Sequence, residues 1–271
     1  TGCKTSNIPS DGSVEIIGRG AFAYCDGLTS INIADSVKAI NAGAFEYCTN
    51  LKTVSLPNSL TYIGGHAFGD TGLTSVTIPK NVTTIGSTDI YEFNPFSGCS
   101  DLETISVSIL NKRYTSKNNC LIDTYSKTLI AGSNSSVIPT DGSVLIIGEF
   151  AFSGLKIESL YIPAAVQEVE EKAIYLEQLT TLEIHANTVK SLTMVSASPS
   201  SKPPLENIIF GDEVVNVYVG IGAFSNLKSV YIGAGLKDLT NLLSENKNFK
   251  NINFEISADN PYLTITNSLL I

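Results

Sequence analysis

Five cysteines and two histidines are the side chains most able to do nucleophilic, redox or metal chemistry in this 271-residue chain. Cys25, Cys48 and Cys99 each follow a phenylalanine by three residues (Phe22, Phe45, Phe96), so they belong to one recurring position. No Cys-x-x-Cys pair is present and no histidine lies near them, so zinc-ligand spacing is absent. A cysteine in a recurring apolar setting behaves as a small buried hydrophobe, and free buried thiols are expected. Cys3 and Cys120 stand apart from that position. His66 and His185 fall at different points of the sequence pattern, and neither joins a Ser/His/Asp or Cys/His arrangement. The acidic pairs Glu170-Glu171 and Asp212-Glu213 are expected in solvated turns. Gly18-Arg-Gly20 and Gly220-Ile-Gly222 lack the lysine and the strand–loop–helix setting of a phosphate loop. No catalytic, cofactor-binding or metal site can be assembled, and the chain is expected to be neither an enzyme nor a cofactor carrier.

The elements that hold these residues repeat. The spacing Φ-x-x-Φ-x-Φ, with Φ apolar, recurs nine times: Leu28/Ile31/Ile33, Leu51/Val54/Leu56, Leu73/Val76/Ile78, Leu102/Ile105/Val107, Ile157/Leu160/Ile162, Leu179/Leu182/Ile184, Leu205/Ile208/Phe210, Leu227/Val230/Ile232 and Phe249/Ile252/Phe254. Most first members are 22 or 23 residues apart. So short a unit cannot bury its own apolar face, so each must stack on its neighbours as a solenoid. A second apolar pair precedes each triplet, as in Val14/Ile17, Val37/Ile40, Leu60/Ile63, Val166/Val169, Val189/Leu192 and Val214/Val217. Between pair and triplet stands Ala-Phe, at Ala21-Phe22, Ala44-Phe45, Ala67-Phe68, Ala151-Phe152 and Ala223-Phe224, with Pro95-Phe96 and Ala173-Ile174 as variants. The triplets predict short strands with alternate residues buried, pairing in parallel about 4.8 Å apart. Phe22, Phe45, Phe68, Phe96, Phe152 and Phe224 predict a stacked wall opposite that sheet.

The regular spacing breaks between Leu102 and Ile157. Cys120 to Ile130 reads as a β-hairpin inside an insertion at about 108–138. Gly132 to Phe152 repeats Gly2 to Phe22 at an offset of 130 residues, which makes Cys3 the counterpart of Ser133, an ordinary repeat position. Asn260 to Ile271 repeats Asn111 to Ile122 at an offset of 149 residues. These internal copies lead to the expectation of one array of about nine repeats over residues 1–271, taken from a longer chain. Residues 196–204 are expected to form a loop interrupting the seventh repeat.

The repeat Ile-Gly-x-x-Ala-Phe-x-x-Cys-x-x-Leu-x-x-Ile-x-Ile-Pro, seen at Ile17 to Ile33, Ile40 to Pro57 and Ile63 to Pro79, resembles that of BspA-like leucine-rich-repeat surface proteins. The resemblance implies an α/β-type leucine-rich-repeat solenoid, a right-handed superhelix rich in β-structure with a parallel sheet on one face and the hairpin inserted. It also implies an exported bacterial protein at the cell surface or secreted, with adhesion or host-protein binding as its role. A structural spacer in a larger surface protein is the alternative.

The net charge of −9 repels phosphate backbones and excludes nucleic acid as a natural partner. No apolar run is long enough to span a membrane as a helix. A monomer binding an extracellular protein or glycan is expected. The outward positions of the triplet strands say where. In the N-terminal half they are short: Asn32, Ser55, Thr77 and Ser106. In the C-terminal half Tyr161, Glu183, Ile209 and Tyr231 would occupy four adjacent rungs, followed by Asn253. Aromatic residues framed by polar ones suit a binding surface, and these four are the candidate ligand-binding residues.

Overall fold

The computed structural model describes residues 8–86, 94–189, 204–217, 224–239, 251–263, 265–266 and 269–270. Cys3, Gly220 to Gly222, Leu192, Phe249 and most of the expected 196–204 loop lie outside the described residues. The chain divides into two compact units. The first holds residues 1–137 and 149–155, the second residues 138–148 and 156–271.

Both units are β-solenoids. In the first, the two-residue strands Ile16–Ile17, Ala39–Ile40, Tyr62–Ile63 and Thr84–Ile85 form a parallel sheet, one strand per turn. The triplet strands pair in parallel as Ser30–Asn32 with Thr53–Ser55 and Ser75–Ile78 with Thr104–Val107. The Ala-Phe segments make a third ladder, in which Phe22 N donates to Ala44 O (2.7 Å), Phe45 N to Ala67 O (2.8 Å) and Phe68 N to Pro95 O (2.9 Å). The three ladders enclose the apolar pairs, the triplets and the phenylalanines. Phe22, Phe45 and Phe68 stack with centroids 5.1 and 5.2 Å apart, and Phe96 follows at 6.0 Å.

No α-helix occurs among the described residues, so the wall opposite the strands is built of turns rather than the helical layer an α/β-type label implies. The backbone gives the reason. The residue before Ala-Phe is left-handed at Gly20, Gly43, His66 and Phe150, and so is the residue two beyond the Phe, at Tyr24, Tyr47, Asp70, Gly98 and Gly154. Two left-handed residues bracketing Phe22, Phe45, Phe68 and Phe152, and one following Phe96, stop a right-handed helix from propagating.

The cysteine position is a hydrogen-bonded ladder. The Cys48 thiol donates to Phe22 O (2.9 Å) and that of Cys99 to Phe68 O (3.0 Å), while Thr71 takes the position in between and donates to the same Phe68 O (2.8 Å). Cys25, Cys48, Cys99 and Cys120 are buried, with no disulfide among them. Burial pushes the Cys99 thiol up to about 12 and that of Cys120 to about 11, so neither supplies a thiolate near neutral pH.

The expected hairpin is present, as Cys120–Asp123 antiparallel to Thr128–Ala131, but a third strand, Tyr114–Lys117, precedes it. Asn118 and Asn119, with φ of 49° and 59°, make the two-residue turn that joins Tyr114–Lys117 to Cys120–Asp123. This meander packs against the solenoid of the first unit. Every residue of Cys120–Asp123 is buried, and Ile85 N donates to the Tyr114 hydroxyl at 2.9 Å, which supplies an acceptor at the edge of the two-residue sheet. Asn111 locks the entry: its Nδ2 donates to Pro79 O and Val82 O, and its Oδ1 accepts from Arg113 N and Tyr114 N. Asn260 makes the same set in the second unit, to Gly233 O and Leu236 O and from Tyr262 N and Leu263 N. The antiparallel pair Ile265–Thr266 and Leu269–Leu270 follows it. The 149-residue sequence repeat is therefore also a structural one.

In the second unit the triplet strands Ser159–Ile162, Thr181–Ile184, Asn207–Phe210, Ser229–Ile232 and Asn253–Ile256 form one five-stranded parallel sheet. Two expected registers are corrected. Val230 pairs with Phe254 and not with Ile252, so the last rung is Phe254/Ile256 and the triplet Phe249/Ile252/Phe254 is displaced by two residues. On the short sheet Val169 pairs with Val189, so the pair of that turn is Ala186/Val189 rather than Val189/Leu192. Ala186 is fully buried in the role that Val166 and Val214 play in neighbouring turns.

Candidate recognition face of the second unit

The register places the four candidate residues on consecutive rungs. Tyr161 pairs with Glu183, Glu183 with Ile209, and Ile209 with Tyr231. The two-residue shift of the last rung puts Glu255 beside Tyr231 in place of the expected Asn253. These strands stand where they do because Leu160, Ile162, Leu182, Ile184, Ile208, Phe210, Val230 and Ile232 are buried, and strand alternation then turns the column outward. Tyr161 is 47% exposed, while Glu183, Ile209 and Tyr231 are half-buried.

The other outward column braces the face. Ser229 Oγ donates to Asn207 Oδ1 at 2.7 Å, and Asn207 Nδ2 donates to Thr181 Oγ1 at 3.4 Å. Where the strands begin, Lys228 pairs with Glu206 at 2.7 Å.

Where the strands end, a network appears that the sequence reading did not find. The His185 imidazole donates from Nε2 to Glu183 Oε1 and from Nδ1 to Glu213 Oε2, both at 2.9 Å, and its ring centroid lies 5.3 Å from that of Tyr161. Glu213, expected to be merely solvated, is thus a partner of the histidine. Burial works against charge on His185, but its bonds to Glu183 and Glu213 outweigh it and hold the imidazolium above the ordinary histidine value. The bond from His185 in turn holds Glu213 below the usual carboxylate range. Gly211 makes room: a Cβ there would lie 2.2 Å from His185 Nδ1. The readable signal was the alignment of His185 with Gly211 in adjacent turns, two residues before Glu213.

Glu183 is therefore both a face residue and a tether for the imidazole that lies against Tyr161. The arrangement offers apolar ring surface, carboxylate acceptors and one imidazolium within a fixed frame. Those are means of recognition. Among the described residues no group of three or more His, Cys, Asp or Glu is arranged to hold a metal ion, and no helix is long and apolar enough to cross a membrane.

Stacked turns of this length, with a buried Phe ladder and an outward strand column, define a leucine-rich-repeat solenoid. A family model for the BspA type leucine rich repeat region, in six copies, matches residues 1–103 and 122–254, and the chain belongs to that family. Among solved structures it is similar to a leucine rich cell surface protein from Faecalibacterium prausnitzii, at 24% identity over 90% of this chain and 70% of that one, with a TM-score of 0.63. It is also similar to the pneumococcal vaccine antigen PcpA, at 19% identity over 91% of this chain and 67% of that one, with a TM-score of 0.56. These likenesses show the shared fold. No curated protein matches the sequence.

Proposed function

We propose that this chain is a non-catalytic recognition module of an exported surface protein, taking a protein or glycan segment across the Tyr161–Glu183–Ile209–Tyr231 column. The observation that carries the reading is the placement of two tyrosines three rungs apart on a rigid parallel sheet, with an acidic and an apolar residue between them. At about 4.8 Å per rung the tyrosines stand about 14 Å apart, the length of an extended peptide of four residues or of a short glycan. Tyrosine is a fitting anchor, because it orders only two torsions and presents a flat ring with a hydroxyl. The family and the cell-surface description of the Faecalibacterium protein support surface placement, with adhesion as the activity that a ligand-binding face would serve.

The test is binding of the full chain to a panel of extracellular-matrix proteins, mucins and glycans, with Tyr161→Ser/Tyr231→Ser beside the wild type. Loss of two anchors should weaken the selected ligand by about tenfold or more, with an unchanged circular dichroism spectrum. A ligand held equally well by the double variant would refute the assignment. A panel with no ligand at all would favour the spacer reading.

A further inference from the structure

Two tyrosines of the first unit stand where the backbone favours glycine. The left-handed position that follows each Phe by two residues is occupied in successive turns by Tyr24, Tyr47, Asp70, Gly98 and Gly154, with φ of 60°, 57°, 54°, 79° and 76°. Glycine meets that demand freely and aspartate tolerates it, whereas a bulky aromatic residue is strained there. Burial does not compensate, for Tyr24 is 63% and Tyr47 37% exposed. The two rings stack on each other, with centroids 4.9 Å apart and planes 17° from parallel. Strained backbone positions cluster at ligand clamps and other functional sites.

The surroundings indicate what. Asp70 is the next member of the column after Tyr47, and its charge is the leading reason that the Tyr47 hydroxyl titrates above its ordinary value. Glu46 precedes Tyr47 in the chain, and the single imidazole of His66 is shared between Glu46 (3.1 Å) and Asp70 (3.5 Å). Asp26 lies two residues beyond Tyr24 and accepts from Thr49 Oγ1 at 3.3 Å. Three carboxylates with one imidazole among them leave negative charge beside an exposed aromatic pair. A planar cation satisfies both features at once, since a guanidinium stacks on a tyrosine and forks onto a carboxylate. A neutral sugar would use the rings and leave the charge unanswered.

We propose that Tyr24, Tyr47 and Asp70 form a docking site for an arginine side chain of an extended cationic peptide, independent of the Tyr161–Tyr231 column.

The test is calorimetric titration of the full chain with the synthetic peptide Gly-Arg-Gly-Arg-Gly and with the same peptide carrying citrulline, the neutral isostere, in place of arginine. The arginine peptide should bind the wild type and Tyr24→Phe/Tyr47→Phe alike. It should bind Tyr24→Asn/Tyr47→Asn and Asp70→Asn at least tenfold more weakly. Asparagine suits the left-handed position, so the Tyr→Asn double variant should melt no lower than the wild type, an outcome that a purely structural tyrosine pair would not give. Tyr161→Ser/Tyr231→Ser should leave this binding unchanged, which separates the site from the proposed recognition face. Equal binding of the citrulline peptide, unweakened binding by the Tyr→Asn variant, a lowered melting temperature for that variant, or no binding by the wild type would each overturn the proposal.

Discussion

Replacing Phe45 by alanine tests the packing logic of the first unit most directly. Phe45 is fully buried and lies between two rings, Phe22 at 5.1 Å and Phe68 at 5.2 Å, each within 2° of parallel to it. Deleting a buried phenylalanine costs about 3–5 kcal/mol, and an aromatic pair contributes roughly 0.5–1.5 kcal/mol beyond its area. Two pairs are lost here and the neighbouring turns cannot close the gap without breaking their ladders. The upper part of the range follows, about 4–5 kcal/mol. Phe22 is half-buried and touches a single ring of the stack, so Phe22→Ala should cost about half as much. The two residues are in contact, so the double variant should depart from additivity by about 0.5–1.5 kcal/mol. Urea denaturation followed by circular dichroism measures all three variants. Equal costs for Phe45→Ala and Phe22→Ala, or strict additivity, would mean that the rings do not act as a stack.

Two further outcomes are expected. Asn111→Ala removes two bonds to carbonyls and two from amides, and should cost about 2–4 kcal/mol while speeding hydrogen exchange at the Arg113 and Tyr114 amides, and Asn260→Ala should do the same at Tyr262 and Leu263. His185 has a folded pKa raised above its unfolded value, so its contribution to stability is fully present below about 6.5 and fades as pH rises through the folded value. Glu213 has a lowered pKa and behaves oppositely, contributing above its unfolded value and losing that contribution as pH falls through the folded one. With two histidines in the sequence, imidazole resonances assigned with His185→Gln report the first titration directly, and that variant should flatten the stability profile on the alkaline side.

Much of the fold was legible because each turn writes its own pattern. Ala44-Phe45 and Leu51/Val54/Leu56 lie within one repeat, so local spacing alone puts Phe45 on one wall and Val54 in a strand. The adjacency of Tyr161, Glu183, Ile209 and Tyr231 was legible for the same reason, since it needs only a count along equivalent strands. The His185 network was not, because Glu183 and Glu213 meet the imidazole only after adjacent turns are stacked, and Gly211 shows its purpose only in space. The strand Tyr114–Lys117 escaped because Tyr-Thr-Ser-Lys carries a single apolar side chain, so its alternation is invisible, although Asn118-Asn119 signals the turn that follows. The short-sheet register failed at Ala186, whose side chain is too small to mark a core position among valines and leucines.

The error at the last rung has a different origin and changes the chemistry of the face. A strand repeats every two residues, so a shift by two leaves Ile252, Phe254 and Ile256 all on the inward parity, and no pattern of apolar residues can choose between the registers. Hydrogen bonding chooses, pairing Val230 with Phe254. The outward column then reads Tyr161, Glu183, Ile209, Tyr231, Glu255 and not an ending in asparagine. Each tyrosine is now followed by a carboxylate, and the Tyr–Glu pair recurs after three rungs, about 14 Å. On the proposed reading, a ligand with a matching repeat would meet the same ring and the same acceptor twice on one rigid sheet. Two weak contacts joined in that way reinforce each other through effective concentration, so a periodic ligand should be held more tightly than the sum of its halves suggests.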